Sequence, residues 1–163
     1  MANIIVSNTG PMISLEKLSD GFKFIRKLYD KIIIPEAVLE ELAADNILVP
    51  AEYLNLHLIN DLVEVRPVSA LSNIAEIHRL DRGEKQAISL AEQLGLPLLI
   101  EEALGRQIAS AAGIQISGIA GQIIKAFKEK LISREDAAYM LKELFDAGRI
   151  NRKIYSSLLS GLK

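Results

Sequence analysis

The chain has 163 residues, a formal charge of −2 and no cysteine. Half of the residues are hydrophobic and a quarter are charged, which predicts a single folded domain with a real core and argues against disorder. Because the charges nearly balance, there is no overall attraction to nucleic acid or to anionic membranes, and any nucleic-acid contact needs a local basic patch.

The residue types that are scarce narrow the chemistry further. Without cysteine there is neither a disulfide nor a thiolate nucleophile, and two histidines argue against a structural zinc site. No apolar run is long enough to span a bilayer, and the N-terminus lacks the basic and apolar regions of a secretory signal. We therefore expect a soluble, cytoplasmic protein that makes no membrane contact.

Short apolar runs alternate with segments of helical periodicity along the chain. The apolar runs predict five strands, at residues 4–7, 31–34, 62–65, 96–100 and 114–117. Helices are predicted before Gly21, at 22–30, 35–44, around 54–59, at 72–80, 84–94, 103–112 and 119–130, and after the caps Ser133 and Asn151. Strands separated by helices predict a parallel three-layer α/β/α domain, although periodicity alone does not give the strand order.

Polar residues follow the strands that are predicted to lie at the centre of this sheet. Asn8 comes directly after the apolar run Ile4–Ser7, and Glu101 directly follows the fourth strand. Glu84 lies in the first turn of the helix that leads into the fourth strand, and such a helix begins at the edge where the strands end. Because ligands bind beyond the carboxyl ends of parallel strands, we expect these three side chains at one binding site.

The helix predicted from Pro35 adds a fourth candidate. Glu41 shares the apolar face of this helix with Val38 and Leu42, whereas Glu40 lies on another face. A glutamate on an apolar face is out of place unless something pairs with it, so we prefer Glu41 to Glu40. Converging carboxylates repel one another unless protons or a cation neutralise them, and hard oxygen ligands suit Mg²⁺ or Mn²⁺. Such an ion can hold a phosphodiester and activate a water for in-line attack.

Four segments together resemble the PIN-like domain family, namely residues 5–13, 34–42, 83–88 and 99–102. The similarity extends to Gly105, Arg106, Ala109 and residues 118–131. It is greatest to a bacterial and archaeal branch described as predicted nucleic-acid-binding proteins with a PIN domain. The resemblance implies a parallel sheet in the order 3-2-1-4-5, a divalent-metal ribonuclease site and kinship with the toxins of toxin–antitoxin pairs. We predict a PIN-like domain at 1–132 and a C-terminal helical extension at 133–163 packed on the same domain.

The resemblance also implies roles for the four candidates, residue by residue. Asn8 falls where the family has its first aspartate, Glu41 on the helix acid, Glu84 on the third acid, and Glu101 where the family usually has aspartate. All four are predicted to be catalytic, with Asn8, Glu84 and Glu101 as ligands of Mg²⁺ or Mn²⁺. Two positions depart from the family: Asn8 is neutral, although its amide oxygen can still bind a metal, and Glu101 is one methylene longer.

Three further residues are predicted to contact single-stranded RNA. Arg106, close to Glu101 in the sequence, is predicted either to steer phosphate or to pair with an acid, and the pairing is favoured. Ser7 and Thr9 flank Asn8 and complete the set.

Each candidate also has a structural interpretation that the sequence leaves open. Asn8 is typical of a helix cap, Glu84 of a helix N-terminus, Glu101 of a solvated loop, and Glu41 of a pair with an arginine. The alternative function is a catalytically degenerate nucleic-acid-binding or partner-binding module, including a toxin relative held by an antitoxin-like protein. A homodimer is a further alternative, suggested by the apolar residues Tyr139, Met140, Leu144, Phe145, Ile150, Ile154, Leu158 and Leu159.

Overall fold

A five-stranded parallel sheet organises the computed structural model, which describes residues 2–72 and 79–163. The strands are β1 (Ile4–Ser7), β2 (Lys31–Pro35), β3 (Val63–Arg66), β4 (Leu98–Leu99) and β5 (Ile116–Ser117). Their order is β3-β2-β1-β4-β5, and every neighbouring pair is parallel. The α/β class and the strand order that the resemblance implied are confirmed.

Helices cover both faces of the sheet. The described helices are α1 (Thr9–Lys17), α2 (Gly21–Ile25), α3 (Glu36–Asp45), α4 (Pro50–Leu56), α5 (Arg82–Leu94), α6 (Ala103–Ala111), α7 (Ile119–Lys128), α8 (Arg134–Asp146) and α9 (Arg152–Ser160). The predicted caps are confirmed, because Ser133 accepts a hydrogen bond from the Asp136 amide and Asn151 accepts one from the Ile154 amide. Within residues 2–72 and 79–163, no helix is both long and apolar enough to cross a membrane.

Alternate residues of the strands enter two separate apolar layers. Ile5 and Ile32 pack on one face, with side chains from α1, α3, α7 and α8. Val6 and Ile33 pack on the other face, with α5 and α6 side chains that include Ile88. This division follows from the period of two along a β-strand, and it explains why β1 and β2 are apolar on both faces.

The C-terminal helices belong to the first of these layers. Leu141 and Leu144 of α8 are buried there, together with Leu162 beyond α9. Phe145 of α8 stacks on Tyr155 of α9, with ring centroids 4.8 Å apart. The segment after residue 132 therefore packs on the sheet domain, while the boundary drawn at that residue stays a prediction.

Several element bounds differ from those predicted. β4 and β5 are two residues each, because only residues 98–99 and 116–117 pair with each other in the ladder. Gly21 begins a helix instead of interrupting one, and a Cβ there would lie 1.9 Å from the Leu15 carbonyl oxygen, so the close approach requires glycine. α5 begins at Arg82, with Asp81 as its cap, and not at Glu84. The helix predicted at 72–80 falls largely on residues 73–78, which lie outside the described residues.

The register of the central strands brings three chain segments to one edge. Ser7 of β1 is level with Leu99 of β4, which is level with Ser117 of β5. The Asn8 amide continues this ladder by donating to the Leu99 carbonyl at 2.9 Å. The residues that follow these three strands therefore share one edge of the sheet, which we call the rim.

Candidate functional site

Asn8 occupies the N-cap position of α1 without acting as its cap. Its side chain is 3% exposed and forms no capping hydrogen bond. The Oδ1 atom is buried and has no hydrogen-bond partner among the described residues. A buried oxygen without a donor is costly, so this atom marks a place where a cation or a ligand donor would be stabilised. The structural interpretation of Asn8 as a cap accounts for its backbone but not for its side chain.

Glu41 reaches the rim from the apolar side of α3. Its Oε2 accepts a hydrogen bond from the Thr9 hydroxyl, the residue next to Asn8. Its other oxygen lies against α5, since a Cβ added to Gly83 would be only 2.5 Å from Oε1. The neighbouring Glu40 is instead exposed and pairs with Arg82. The two glutamates therefore differ in their surroundings, and among the described residues the partner of Glu41 is a threonine hydroxyl, not an arginine.

Glu84 is a buried acid whose described neighbours are other acids. The side chain lies in the first turn of α5 and is 7% exposed. Desolvation by burial raises its pKa to about 7, with further contributions from the negative charges of Asp81, Glu102 and Glu41. No lysine or arginine of the described residues forms an ion pair with it. A bound cation would favour the ionised form of this carboxylate and so draw its pKa down again.

Glu101 lies at the rim in a different environment. Its Oε1 accepts hydrogen bonds from the Ser14 hydroxyl at 2.7 Å and from Arg149 Nη2 at 3.3 Å. Its Oε2 accepts the amide of Ile119 at 3.0 Å, so the carboxylate caps the N-terminus of α7. It is therefore not a freely solvated loop residue.

The rim accordingly has two parts. The Glu84 side comprises Asn8, Thr9, Glu41 and Glu84, and the Glu101 side comprises Ser14, Glu101, Arg149 and the Ile119 amide. They adjoin at Gly10, where an added Cβ would lie 3.7 Å from Glu101 Oε1 and 3.6 Å from Arg149 Nη2. The sequence predicted that the four candidates share an edge, which they do, but not that this edge is divided.

The residues of the Glu84 side fit a divalent cation in their chemistry. The orphaned Oδ1 of Asn8 and the Glu84 carboxylate are hard oxygen donors of the kind that Mg²⁺ and Mn²⁺ take. Within the described ranges, however, no three Asp, Glu, His or Cys side chains already stand close enough to hold a metal. Glu101 is turned to its own donors, so a complete ligand set requires that carboxylate, or Glu102, to reorient.

The predicted RNA contacts have other roles in the structure. Ser7 is completely buried and its hydroxyl donates to the Asn8 carbonyl at 2.9 Å, so its placement does not support contact with RNA. Thr9 is partly exposed, and its hydroxyl is used by Glu41. Arg106 Nη1 donates to the Ile100 carbonyl at 2.8 Å, at the end of β4. The favoured pairing of Arg106 with an acid is not found among the described residues, and Arg149 pairs with Glu101 instead.

A comparison with protein families decides the relationship. The model of the family described as PIN domain matches residues 4–163. The chain belongs to the PIN-domain family. PIN domains form a nuclease-type superfamily. No curated protein matches the chain.

Two solved structures are similar to this PIN domain. One is a PilT N-terminus domain protein from the hyperthermophilic archaeon Sulfolobus solfataricus P2, with 18% identity, a TM-score of 0.50, and coverage of 71% of this chain and 86% of the other. The other is a domain of a functionally unknown protein from Methanocaldococcus jannaschii DSM 2661, with 18% identity, a TM-score of 0.45, and coverage of 72% and 91%. At this identity the first likeness supports the fold alone.

Sequence reasoning missed three residues of the rim. Ser14 is fully buried on α1, and a small polar residue between Ile13 and Leu15 was the available signal. Glu102 was named only as the neighbour of Glu101, yet its charge acts on Glu84. Arg149 follows a glycine that ends a helix, and nothing local indicates that it contacts residues more than 130 positions earlier.

Proposed function

We propose that this PIN-domain protein is a ribonuclease that hydrolyses phosphodiesters of single-stranded RNA with Mg²⁺ or Mn²⁺. The observation that carries the proposal is the Glu84 carboxylate, which is buried near other acids and forms no ion pair with a lysine or arginine in residues 2–72 and 79–163. Burying a negative charge near other negative charges is unfavourable. Proteins retain such an arrangement at functional sites, where the carboxylate binds a cation or transfers a proton. The unpartnered Oδ1 of Asn8 on the same side of the rim supports the same conclusion.

The proposed roles follow from the contacts of each side chain. Asn8 Oδ1, Glu84 and Glu101 are the residues that would hold the ion, which would supply an activated water and stabilise the negative charge that develops on the phosphate. Thr9 holds one oxygen of Glu41, and this carboxylate is the proposed acceptor of a proton from the attacking water. Arg106, anchored on the Ile100 carbonyl, is the proposed contact to the RNA backbone.

The test is cleavage of an end-labelled single-stranded RNA by the full chain, with Mn²⁺ and with EDTA. We expect Mn²⁺-dependent cleavage that falls by about a hundredfold or more in Glu84→Gln, because one metal ligand is lost. Glu40→Gln is the matched control, since this glutamate is exposed and its ion pair in the described part of the chain is with Arg82. Cleavage that is unaffected by EDTA, or equal in Glu84→Gln and wild type, would refute the proposal.

A second function is favoured by the neutral side chain at position 8 and by the absence of a preformed three-acid group in the described residues. In this alternative the protein is a catalytically degenerate module that binds nucleic acid or a partner. Asn8→Asp separates the two proposals because it restores the carboxylate that the family resemblance implies. Cleavage by Asn8→Asp but not by the parent identifies degeneration, whereas cleavage by both supports the ribonuclease.

Partners other than RNA remain proposals of the same kind. An antitoxin-like protein would be expected only for the toxin-like form of the activity. For a homodimer, the apolar side chains that stay exposed on the C-terminal helices include Tyr139 at 61% and Ile154 at 44%. Sedimentation of the full chain measures that state directly.

A further inference from the structure

Arg149 extends from the turn between α8 and α9 into the rim. α8 ends in a reversal in which the Gly148 amide donates to the Phe145 carbonyl and the Arg149 amide donates to the Leu144 carbonyl. Gly148 has a φ of 75°, the left-handed conformation that this type of helix end requires and that glycine adopts without strain. The backbone direction of Arg149 is therefore determined by the end of the helix, not by the rim itself.

The guanidinium joins three parts of the rim. Nε donates to the Ser14 hydroxyl at 2.9 Å, and Nη2 donates to the Gly10 carbonyl at 3.0 Å and to Glu101 Oε1 at 3.3 Å. Ser14 in turn donates to the same Glu101 oxygen at 2.7 Å. Arg149 is the described cation that pairs with a rim acid, so it supplies at Glu101 the positive charge that the Glu84 side lacks.

The contact between Arg149 and Glu101 has the properties of an exchangeable one. It is a single hydrogen bond of 3.3 Å, not a bidentate pair, and it is the longest of the contacts that these two side chains make. Both side chains are partly exposed, Arg149 at 27% and Glu101 at 22%. Exposed ion pairs contribute little to stability, so separating these two partly exposed side chains costs little free energy.

We infer that Arg149 is a positioning residue that acts through Glu101: it is the internal cation of the rim, and a divalent ion must displace it from Glu101 to bind. The inference rests on the proposed metal-dependent function. It explains why the described acids do not already form a three-ligand group although they share one edge. It also assigns to the C-terminal segment a direct influence on the metal affinity of the rim.

The test is the Mn²⁺ affinity of the full chain, measured by calorimetry for wild type, Arg149→Gln, Arg149→Lys and Arg152→Gln. We expect Arg149→Gln to bind Mn²⁺ about fivefold more tightly, because the competing charge is gone, and Arg149→Lys to stay close to wild type. Arg152→Gln is the matched control: it removes the same charge from the same segment, but Arg152 lies over the Phe145 ring and pairs with no acid of the described residues. Its affinity should be unchanged.

A merely structural role for Arg149 predicts a different result. In that case, loss of its three hydrogen bonds would lower the metal-free melting temperature of Arg149→Gln while leaving its Mn²⁺ affinity unchanged. This outcome would overturn the inference, and so would weaker Mn²⁺ binding by Arg149→Gln. RNA cleavage by wild type would in that case leave the proposed function intact. If wild type binds no Mn²⁺, the proposed use of this metal by the wild-type protein is wrong. The inference about Arg149 then depends on the variant: it survives if Arg149→Gln binds Mn²⁺ and is overturned if Arg149→Gln does not.

A second measurement on the unmodified protein covers the case in which Arg149→Gln does not fold. The Nε–H proton of Arg149 donates to a completely buried serine and can be followed by NMR. We expect saturating Mg²⁺ to shift this resonance and to speed its exchange with water. An unchanged resonance in protein whose melting temperature has risen with Mg²⁺ contradicts displacement of the arginine.

Discussion

The two sides of the rim treat their carboxylates in opposite ways. On the Glu101 side, both oxygens of the acid have donors, which are a serine hydroxyl, a helix amide and an arginine. On the Glu84 side, the acid is more deeply buried and forms no ion pair with a lysine or arginine of the described residues, and the same side holds the unpartnered oxygen of Asn8. The same edge of the sheet therefore carries one carboxylate that stabilises the fold and one whose ionised form opposes it. Glu84 and Glu101 thus lie at the same edge of the sheet but affect the stability of the fold in opposite directions.

Glu84→Gln should change the free energy of unfolding most, and it is the strongest test of the difference between the two sides. The pKa of Glu84 is raised from 4.5 to about 7, so the folded state holds the proton more tightly than the unfolded state. The stability that the protonated Glu84 carboxyl contributes is complete below pH 4.5 and is lost as the pH rises through about 7. In EDTA at high pH, Glu84→Gln should exceed wild type by about 3 kcal/mol in free energy of unfolding, and the difference should vanish in acid.

Urea unfolding at several pH values measures this difference, with Glu40→Gln as the exposed control. Equal pH dependence of wild type and Glu84→Gln would show that burial does not hold the proton on Glu84, and the contrast between the two sides would be lost.

Ser14→Ala tests the Glu101 side and should give the next largest effect. Ser14 is fully buried, and its hydroxyl donates to Glu101 while accepting from Arg149. Because the variant removes one hydrogen bond from each of two charged partners, the free energy of unfolding should fall by about 2 kcal/mol. Ser19→Ala is the matched control, since its hydroxyl also donates to a glutamate, Glu143, but on the surface. If Ser14→Ala loses no more free energy of unfolding than Ser19→Ala, the Glu101 side does not stabilise the fold as proposed.

Asn8→Leu tests the Glu84 side of the rim, and its expected effect on stability is the smallest of the three. Leucine has a similar volume and no polar atom, so the buried orphan oxygen is removed. Metal-free stability should rise by about 1 kcal/mol, and the increase in melting temperature with Mn²⁺ should disappear. A destabilised variant that keeps its full response to Mn²⁺ would show that Asn8 Oδ1 is neither unsatisfied nor a ligand.

Local patterns predicted the sheet best where a strand is a bare apolar run. β1 was predicted with its observed bounds, and β2 within one residue, because both strands are apolar on both faces and end in turn residues. β4 and β5 were predicted too long, because apolar residues such as Leu96 and Ile114 continue beyond the hydrogen-bonded ladder and pack on the same layer. Apolar periodicity reports burial, and in these two segments burial extends past the strand.

The candidate site was predictable to the extent that backbone topology determines it. Asn8 and Glu84 were placed correctly because each lies at a strand end or at the start of a helix, and parallel topology brings those positions to one edge. The partners of Glu101 could not be predicted, since Arg149 arrives from a connection more than 40 residues later and is directed by the end of α8. Sequence patterns therefore located the edge but not the division of its charges.

Arg149 also makes the electrostatics of the rim depend on how far synthesis has progressed. When the ribosome has added residue 132, all five strands and every rim acid are present in the nascent chain, but the guanidinium is still to come. A nascent chain that stops short of residue 149 therefore contains the rim acids without the guanidinium that pairs with Glu101, and this ion pair can form only after translation has passed that residue.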